Sequence, residues 1–118
     1  RLRGFAQGAA RFARGEGIWK DLKKEARLAQ LDLMIRLTEE LYPTLRVYLF
    51  DGLTHFSAPY TLFGQMRAAV YVGQMYIVLN TSEHVRVLTH HFDDLIRAAV
   101  VQANDVSDFL RQLRHDVL

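Results

Sequence analysis

The 118-residue sequence has no cysteine, only two prolines and no long apolar run. Without thiolates the chain forms neither a disulfide scaffold nor a cysteine-ligated zinc or iron–sulfur site. No apolar segment approaches the roughly 18 residues that a membrane-spanning helix requires, and arginines interrupt the first residues too often for a signal peptide. Half of the residues are hydrophobic, which is typical of folded chains and not of disordered ones. We therefore expect a single cytoplasmic domain over residues 1–118, with no membrane partner.

Recognisable catalytic motifs are also missing. The sequence contains no glycine-rich phosphate-binding motif and no G-x-S-x-G nucleophile motif. His84 and His91 lie two helical turns, about 10 Å, apart, which is too far for both to ligate one ion. Only His90 or His91 paired with Asp94 has a usable spacing. We expect no reaction, cofactor or metal; the alternative is a small metal-binding protein or enzyme that uses the region of His84, His90, His91 and Asp94.

Charge is distributed unevenly along the chain. Residues 1–27 contain eight basic and three acidic side chains, whereas the remaining residues contain seven arginines and ten acids. This basic end suits either a DNA-proximal linker or a solvated helix face. Four glycines in residues 1–17 weaken helix formation, so this basic lead-in is predicted to be irregular or only briefly helical.

Residues 18–42 are rich in helix formers and are followed by Pro43, which predicts one long helix. At 100° per residue, two apolar stripes lie on nearly opposite sides of this helix. The larger stripe, which we expect to face the core, consists of Trp19, Leu22, Ala26, Ala29, Leu33, Leu37 and Leu41, with Met34 at its edge. The smaller stripe consists of Leu28, Leu31 and Ile35. A helix that is apolar on two sides needs two covers.

We predict that the smaller stripe, Leu28, Leu31 and Ile35, is the interface of a homodimer. Covering each side chain contributes roughly 1.5 to 3 kcal/mol, whereas association costs roughly 4 to 15 kcal/mol. Additional surface must therefore contribute, even though a two-fold axis doubles the contact. If the final helix of the same chain covers this stripe instead, a monomer suffices.

The middle of the chain is predicted to form a four-stranded antiparallel meander. Asp51-Gly52 suits a type I′ hairpin turn, and Gly-Gln-Met at 64–66 and again at 73–75 suits type II′ turns. The predicted strands are 45–50, 53–63, 66–72 and 75–80. Pro59 cannot donate a ladder hydrogen bond, so we expect a break near residues 57–59.

Side-chain parity in these strands predicts a ligand site. With two-residue loops, Val72 pairs with Met75 and Tyr71 with Tyr76, and each pair shares a sheet face. The face opposite the apolar one then presents the predicted ligand-binding residues Tyr60, Arg67, Tyr71 and Tyr76. Aromatic walls beside an arginine suit a small anionic effector. The alternative is a sheet face covered by the first helix or by a second subunit.

Two further helices are predicted at residues 82–117. Residues 80–83 supply capping groups, and apolar residues recur at helical spacing first over 85–99 and again from Val106 to Val117. The predicted order is one helix, four strands and two helices, which is an α+β fold.

Three segments carry a resemblance to a known family. LRVYLFDG at 45–52, SAPYTLFGQ at 57–65 and VRVLTHHFDDLIRAA at 85–99 loosely resemble the C-terminal regulatory region of bacterial helix-turn-helix transcriptional regulators. The resemblance implies a non-catalytic, ligand-sensing homodimerisation domain that is attached to a DNA-binding module. A ligand on the tyrosine face would then bias the placement of two 18–42 helices and of the attached modules. Residues 18–41 form one long predicted helix, so we expect DNA contact through the attached module and not through this domain.

Overall fold

The computed structural model describes residues 7–118 as an α+β fold in which four α-helices accompany a three-stranded antiparallel sheet. The elements are α1 (Gln7–Arg14), a 3-10 turn (Gly17–Trp19), α2 (Lys24–Glu40), β1 (Tyr60–Phe63), β2 (Arg67–Val72), β3 (Met75–Leu79), α3 (Ser82–Ala98) and α4 (Val106–Val117). They divide into two compact units, one formed by Arg1–Leu53 with Ala99–Leu118 and the other by Thr54–Ala98. Among the described helices, none combines the length and apolar character needed to cross a bilayer.

The first unit is helical, and its core lies between α2 and α4. The buried core residues are Ala13, Leu31, Ile35, Val101, Val106, Phe109, Leu110 and Leu113. Polar pairs fix the same two helices at their edges, because Arg111 contacts Glu39 and Arg114 Nε lies 2.6 Å from Asp32 Oδ1. The helix α1 ends at Gly15, whose φ of 71° permits the Glu16 amide to donate to the Arg11 carbonyl.

The second unit is the sheet, in the order β1-β2-β3, with α3 packed against β1 and β2. Ala68 on β2 and Val85 on α3 are almost fully buried. A small residue on the strand lets the helix approach closely. The spans predicted for the two C-terminal helices are confirmed by α3 and α4.

The prediction of four strands is wrong, because residues 45–50 and 53–59 are not part of the sheet. Leu49 instead forms an isolated antiparallel bridge with Val101 in the helical unit. The Asp51 side chain accepts a hydrogen bond from the Leu53 amide at 2.9 Å, which makes a local side-chain turn in place of a hairpin. The sheet begins only at Tyr60, directly after the break that Pro59 predicts.

The long helix predicted over 18–42 is shorter in the structure. Residues 17–19 form a separate 3-10 turn, and α2 extends only from Lys24 to Glu40. Within the predicted lead-in, α1 is a short helix, whereas residues 1–6, including Arg1 and Arg3, lie outside the described residues.

The turn between β1 and β2 has one residue more than the sequence predicts. Phe63 pairs with Arg67, so Gly64, Gln65 and Met66 form a three-residue loop. The β2–β3 turn has two residues and confirms the predicted pairing of Val72 with Met75. An extra loop residue shifts β1 by one position, which transfers all of its side chains to the opposite sheet face.

Leu31→Ala should destabilise the protein by about 2 to 5 kcal/mol, because Leu31 is completely buried and its truncation leaves a cavity. Chemical denaturation measures the change in the free energy of unfolding. Leu53→Ala is the control, since Leu53 is 80% exposed and should change stability by less than about 0.5 kcal/mol. Equal losses in the two variants would contradict the described core.

Gly64→Ala should cost about 1 kcal/mol of unfolding free energy, because the φ of 63° at Gly64 disfavours any side chain even though nothing lies within 4 Å of the added Cβ. Gly8→Ala is the matched control in equally open space, but on a helix. There the substitution should stabilise by about 0.5 kcal/mol. Thermal or urea unfolding of both variants checks the opposite signs.

Candidate functional site: the outer face of helix α2

The apolar stripe predicted to form the dimer interface is largely buried within its own chain. Leu31 is 0% exposed and Ile35 is 8% exposed, and both belong to the core cluster with α4. Leu28 is half-buried. The dimer interface predicted at Leu28, Leu31 and Ile35 is therefore corrected: the cover comes from α4 of the same chain, which was the alternative that the sequence left open.

The stripe predicted to face the core lies on the exposed side of α2. Its outward residues within α2 are Ala26, Ala29, Leu33 and Leu37, and Leu22 and Leu41 flank the two ends of the helix; we call these six residues the outer stripe. The four leucines are between 36% and 46% exposed, and both alanines are exposed. Helical spacing identified both stripes, but the stripe that was predicted to face the core is exposed and the other one is buried. Arg36 and Glu40, both exposed, follow Ala29 and Leu33 by seven residues and so adjoin the apolar residues of this face. An apolar helix face in contact with water is a surface suited to a partner.

The cap position and the last turn of α2 carry charges opposite to those that its helix dipole favours, whereas Glu25 in the first turn is an acid that the dipole favours. The N-terminal end has Lys23 at the cap position, without a side-chain capping hydrogen bond, and Lys24 as the first residue. The last turn contains Glu39 and Glu40 and no basic residue. Cations favour helix C-termini and anions favour N-termini. Glu39 contacts Arg111, but Glu40 takes part in none of the ion pairs that the described residues form.

The four residues of the predicted ligand site are not on one sheet face. Arg67, Tyr71 and Tyr76 share a face, as predicted, but Tyr60 pairs with Val70 and lies on the other face, towards α3. The three-residue loop at 64–66 causes this difference, because it shifts the register of β1 by one residue and so places its side chains on the opposite sheet face. The four-residue ligand site is therefore corrected to three residues on an open sheet.

The three remaining residues are spread along this face. Arg67 and Tyr71 are four positions apart on β2, about 13 Å, whereas Tyr71 and Tyr76 are neighbours with ring centroids 6.3 Å apart. Thr61 Oγ1 lies 3.2 Å from the Tyr71 hydroxyl. A separate depression of about 300 Å³ is lined by Phe63, Met66 and Arg67. Arg67 therefore adjoins Phe63 and Met66 and not the tyrosine pair.

Tyr60 belongs to a polar cluster that the sequence did not predict. Its hydroxyl donates to the Leu88 carbonyl at 3.4 Å, and its ring centroid lies 5.9 Å from that of His91. His91 Nε2 lies 3.3 Å from Ser57 Oγ, which donates to the Ala58 carbonyl. Because the Ser57 hydroxyl donates to the Ala58 carbonyl, its proton is directed away from His91 Nε2. The cluster fastens the segment before β1 to α3.

The histidines of the alternative hypothesis do not converge. His90 Nε2 is 3.5 Å from Asp94 Oδ2, whereas His91 contacts Ser57. Asp94 also pairs with Arg97 at 2.8 Å. Across residues 7–118, no three histidine, cysteine, aspartate or glutamate side chains are grouped closely enough to hold a metal ion.

A groove of about 850 Å³ runs between α1 and α4 in the helical unit. Its lining residues are Ala10, Arg14, Val100, Val101, Asp105, Asp108, Phe109, Gln112, Leu113 and Asp116. Three aspartates against one arginine give this groove an acidic rim. Its charge therefore disfavours the anionic effector that the sequence predicts for the sheet.

Tyr60→Phe should make stability less sensitive to alkaline pH. Burial, reinforced by the Asp93 carboxylate, raises the pKa of Tyr60 above its ordinary value of 10.0. The unfolded chain therefore loses this proton first, so stability falls as pH rises from 10.0 towards the folded pKa. Urea denaturation below and above pH 10.0 measures the loss, with Tyr76→Phe as the control for removal of an exposed phenol. An unchanged alkaline loss in Tyr60→Phe would contradict this assignment.

Comparison with protein-family models, curated proteins and solved structures finds no match for this chain. Among the surfaces above, the outer stripe is a helix face whose leucines are exposed and outside the core of the helical unit.

Proposed function

We propose that this chain is a non-catalytic dimerisation domain of a bacterial cytoplasmic transcription regulator, in which an attached module contacts DNA. The observation that carries the proposal is the outer stripe, an apolar helix face that the chain leaves exposed after its own core is complete. The resemblance of residues 45–99 to regulatory regions supports the same assignment. A second copy of the chain is the proposed cover.

The outer leucines supply part of the energy that a dimer needs. A fully buried leucine contributes roughly 1.5 to 3 kcal/mol, so covering the exposed 36% to 46% of each outer leucine contributes roughly 0.5 to 1.4 kcal/mol. Two copies bring eight such leucines together, on the order of 4 to 11 kcal/mol in all. Association costs roughly 4 to 15 kcal/mol. The leucines alone therefore do not hold a dimer at tens of micromolar, and further surface around the outer stripe must contribute.

A two-fold arrangement explains how such a domain would serve a regulator. Each patch meets its own copy across the axis. The axis holds two attached DNA-binding modules at a fixed separation, which is the geometry that palindromic half-sites require. Effector binding is not part of this proposal, because Tyr60 lies on the sheet face opposite Arg67, Tyr71 and Tyr76.

The proposal predicts that the protein is a dimer at tens of micromolar and that Leu33→Glu and Leu37→Glu each weaken it about 100-fold. Each substitution places a charge in both halves of an apolar interface, where it loses hydration without a partner. Sedimentation or light scattering over a dilution series measures the dissociation constant.

Leu53→Glu is the matched control, since it adds the same charge at a leucine that is 80% exposed and outside α2. Its dissociation constant should equal that of the unsubstituted protein. Circular dichroism checks that all variants retain their helices. A monomeric unsubstituted protein at tens of micromolar, or glutamate variants that remain fully dimeric, would refute the proposal.

A further inference from the structure

The outer stripe differs in size between its two halves. Within α2, its N-terminal half presents the small side chains of Ala26 and Ala29, and its C-terminal half presents Leu33 and Leu37. A parallel partner would place alanine against alanine and leucine against leucine. The alanine layers would then leave voids, which close packing between helices does not tolerate. Within α2, an antiparallel partner places small against large, whereas Leu22 and Leu41 at the flanks meet as two large residues.

The charges at the two ends of α2 favour the same direction. A parallel copy would bring Lys23 near Lys23 and Glu40 near Glu40, and it would align two helix dipoles side by side. An antiparallel copy brings the partner's Glu40 to the N-terminal end of α2 and the partner's Lys23 to the C-terminal end. Lys23 and Glu40 are each unfavourable for the dipole of their own helix. In the antiparallel pair, each would lie beside the end of the other helix whose dipole it stabilises.

From these two independent asymmetries we infer that two copies of α2 pair antiparallel through the outer stripe. This inference rests on the proposed function, because it requires a second copy on that face. A two-fold axis between positions 31 and 32 sets Ala26 opposite Leu37 and Lys23 opposite Glu40. Ala29 then lies within one residue of the level of Leu33. The pairing is specific for a second copy, because the same helix supplies both the small and the large half.

The absence of cysteine allows a direct test of direction. Ala26→Cys and Leu37→Cys each place one thiol on the exposed stripe, and a short bismaleimide links thiols that lie close together. In an antiparallel dimer, position 26 of one copy faces position 37 of the other. Two copies of position 26 are offset by 11 residues, about 16 Å along the axis. Each variant alone should therefore remain unlinked, whereas an equimolar mixture should yield the mixed dimer, identified by its mass.

Leu53→Cys, alone and mixed with Ala26→Cys, measures collisional linking at an exposed leucine outside α2. Supporting evidence is a mixed 26–37 product at several times this background, with little 26–26 or 37–37 product. Same-position products from each variant alone, without the mixed one, establish parallel pairing and overturn this inference while the proposed function stands.

Sedimentation of the same samples separates the remaining outcomes. A dimer that gives no product above background at either position uses another surface, and this overturns the inference and the role of the outer stripe. A monomer at tens of micromolar overturns the proposed function itself, and the inference with it. Circular dichroism of each cysteine variant confirms that an unlinked sample is folded.

Discussion

The packing of α2 on α4 is the contact on which the arrangement of the helical unit depends. Leu31 and Ile35 on α2 enter one core with Phe109, Leu110 and Leu113 on α4, and two arginines on α4 pair with acids on α2. Because α2 is apolar on two sides, this single contact decides which side becomes interior. The other side, from Leu22 to Leu41, is left facing water.

That choice gives the two faces of α2 different surroundings. Its inner face belongs to the core of the helical unit, and its outer leucines are partly exposed. Because different residues form the two faces, the outer leucines can be altered without opening the core. Within α2 the outer face has alanines in its N-terminal half and leucines in its C-terminal half, and its cap lysine and last-turn glutamates differ in charge, so the face has a direction. A surface with these properties suits a two-fold pair better than a general hydrophobic contact.

The sheet shows how a small local difference changes a candidate site. The β2–β3 register follows from the glycine turn at 73–74, whereas the β1–β2 loop contains Met66 as a third residue. Both turns begin with Gly-Gln-Met, so the sequence gives no local reason for them to differ. The longer loop moves Tyr60 towards α3, where it contacts His91 and the Leu88 carbonyl instead of joining Arg67. The sheet face on which a side chain lies can be predicted from strand pairing only where the length of the connecting loop is known.

The sequence alone determined the features that depend on neighbouring residues. Helical periodicity and capping residues located α3 and α4, glycine located the Val72–Met75 turn, and both stripes of α2 followed from 100° spacing. Only the tertiary structure decided which stripe is buried. It also decided that residues 45–50 lie outside the sheet, where Leu49 bridges Val101, and that Tyr60 lies on the sheet face opposite the predicted one. These outcomes depend on contacts between residues distant in sequence, or on a difference of one residue in a loop. Periodicity shows that a face is apolar, but the identity of its cover is decided by whichever distant segment packs against it.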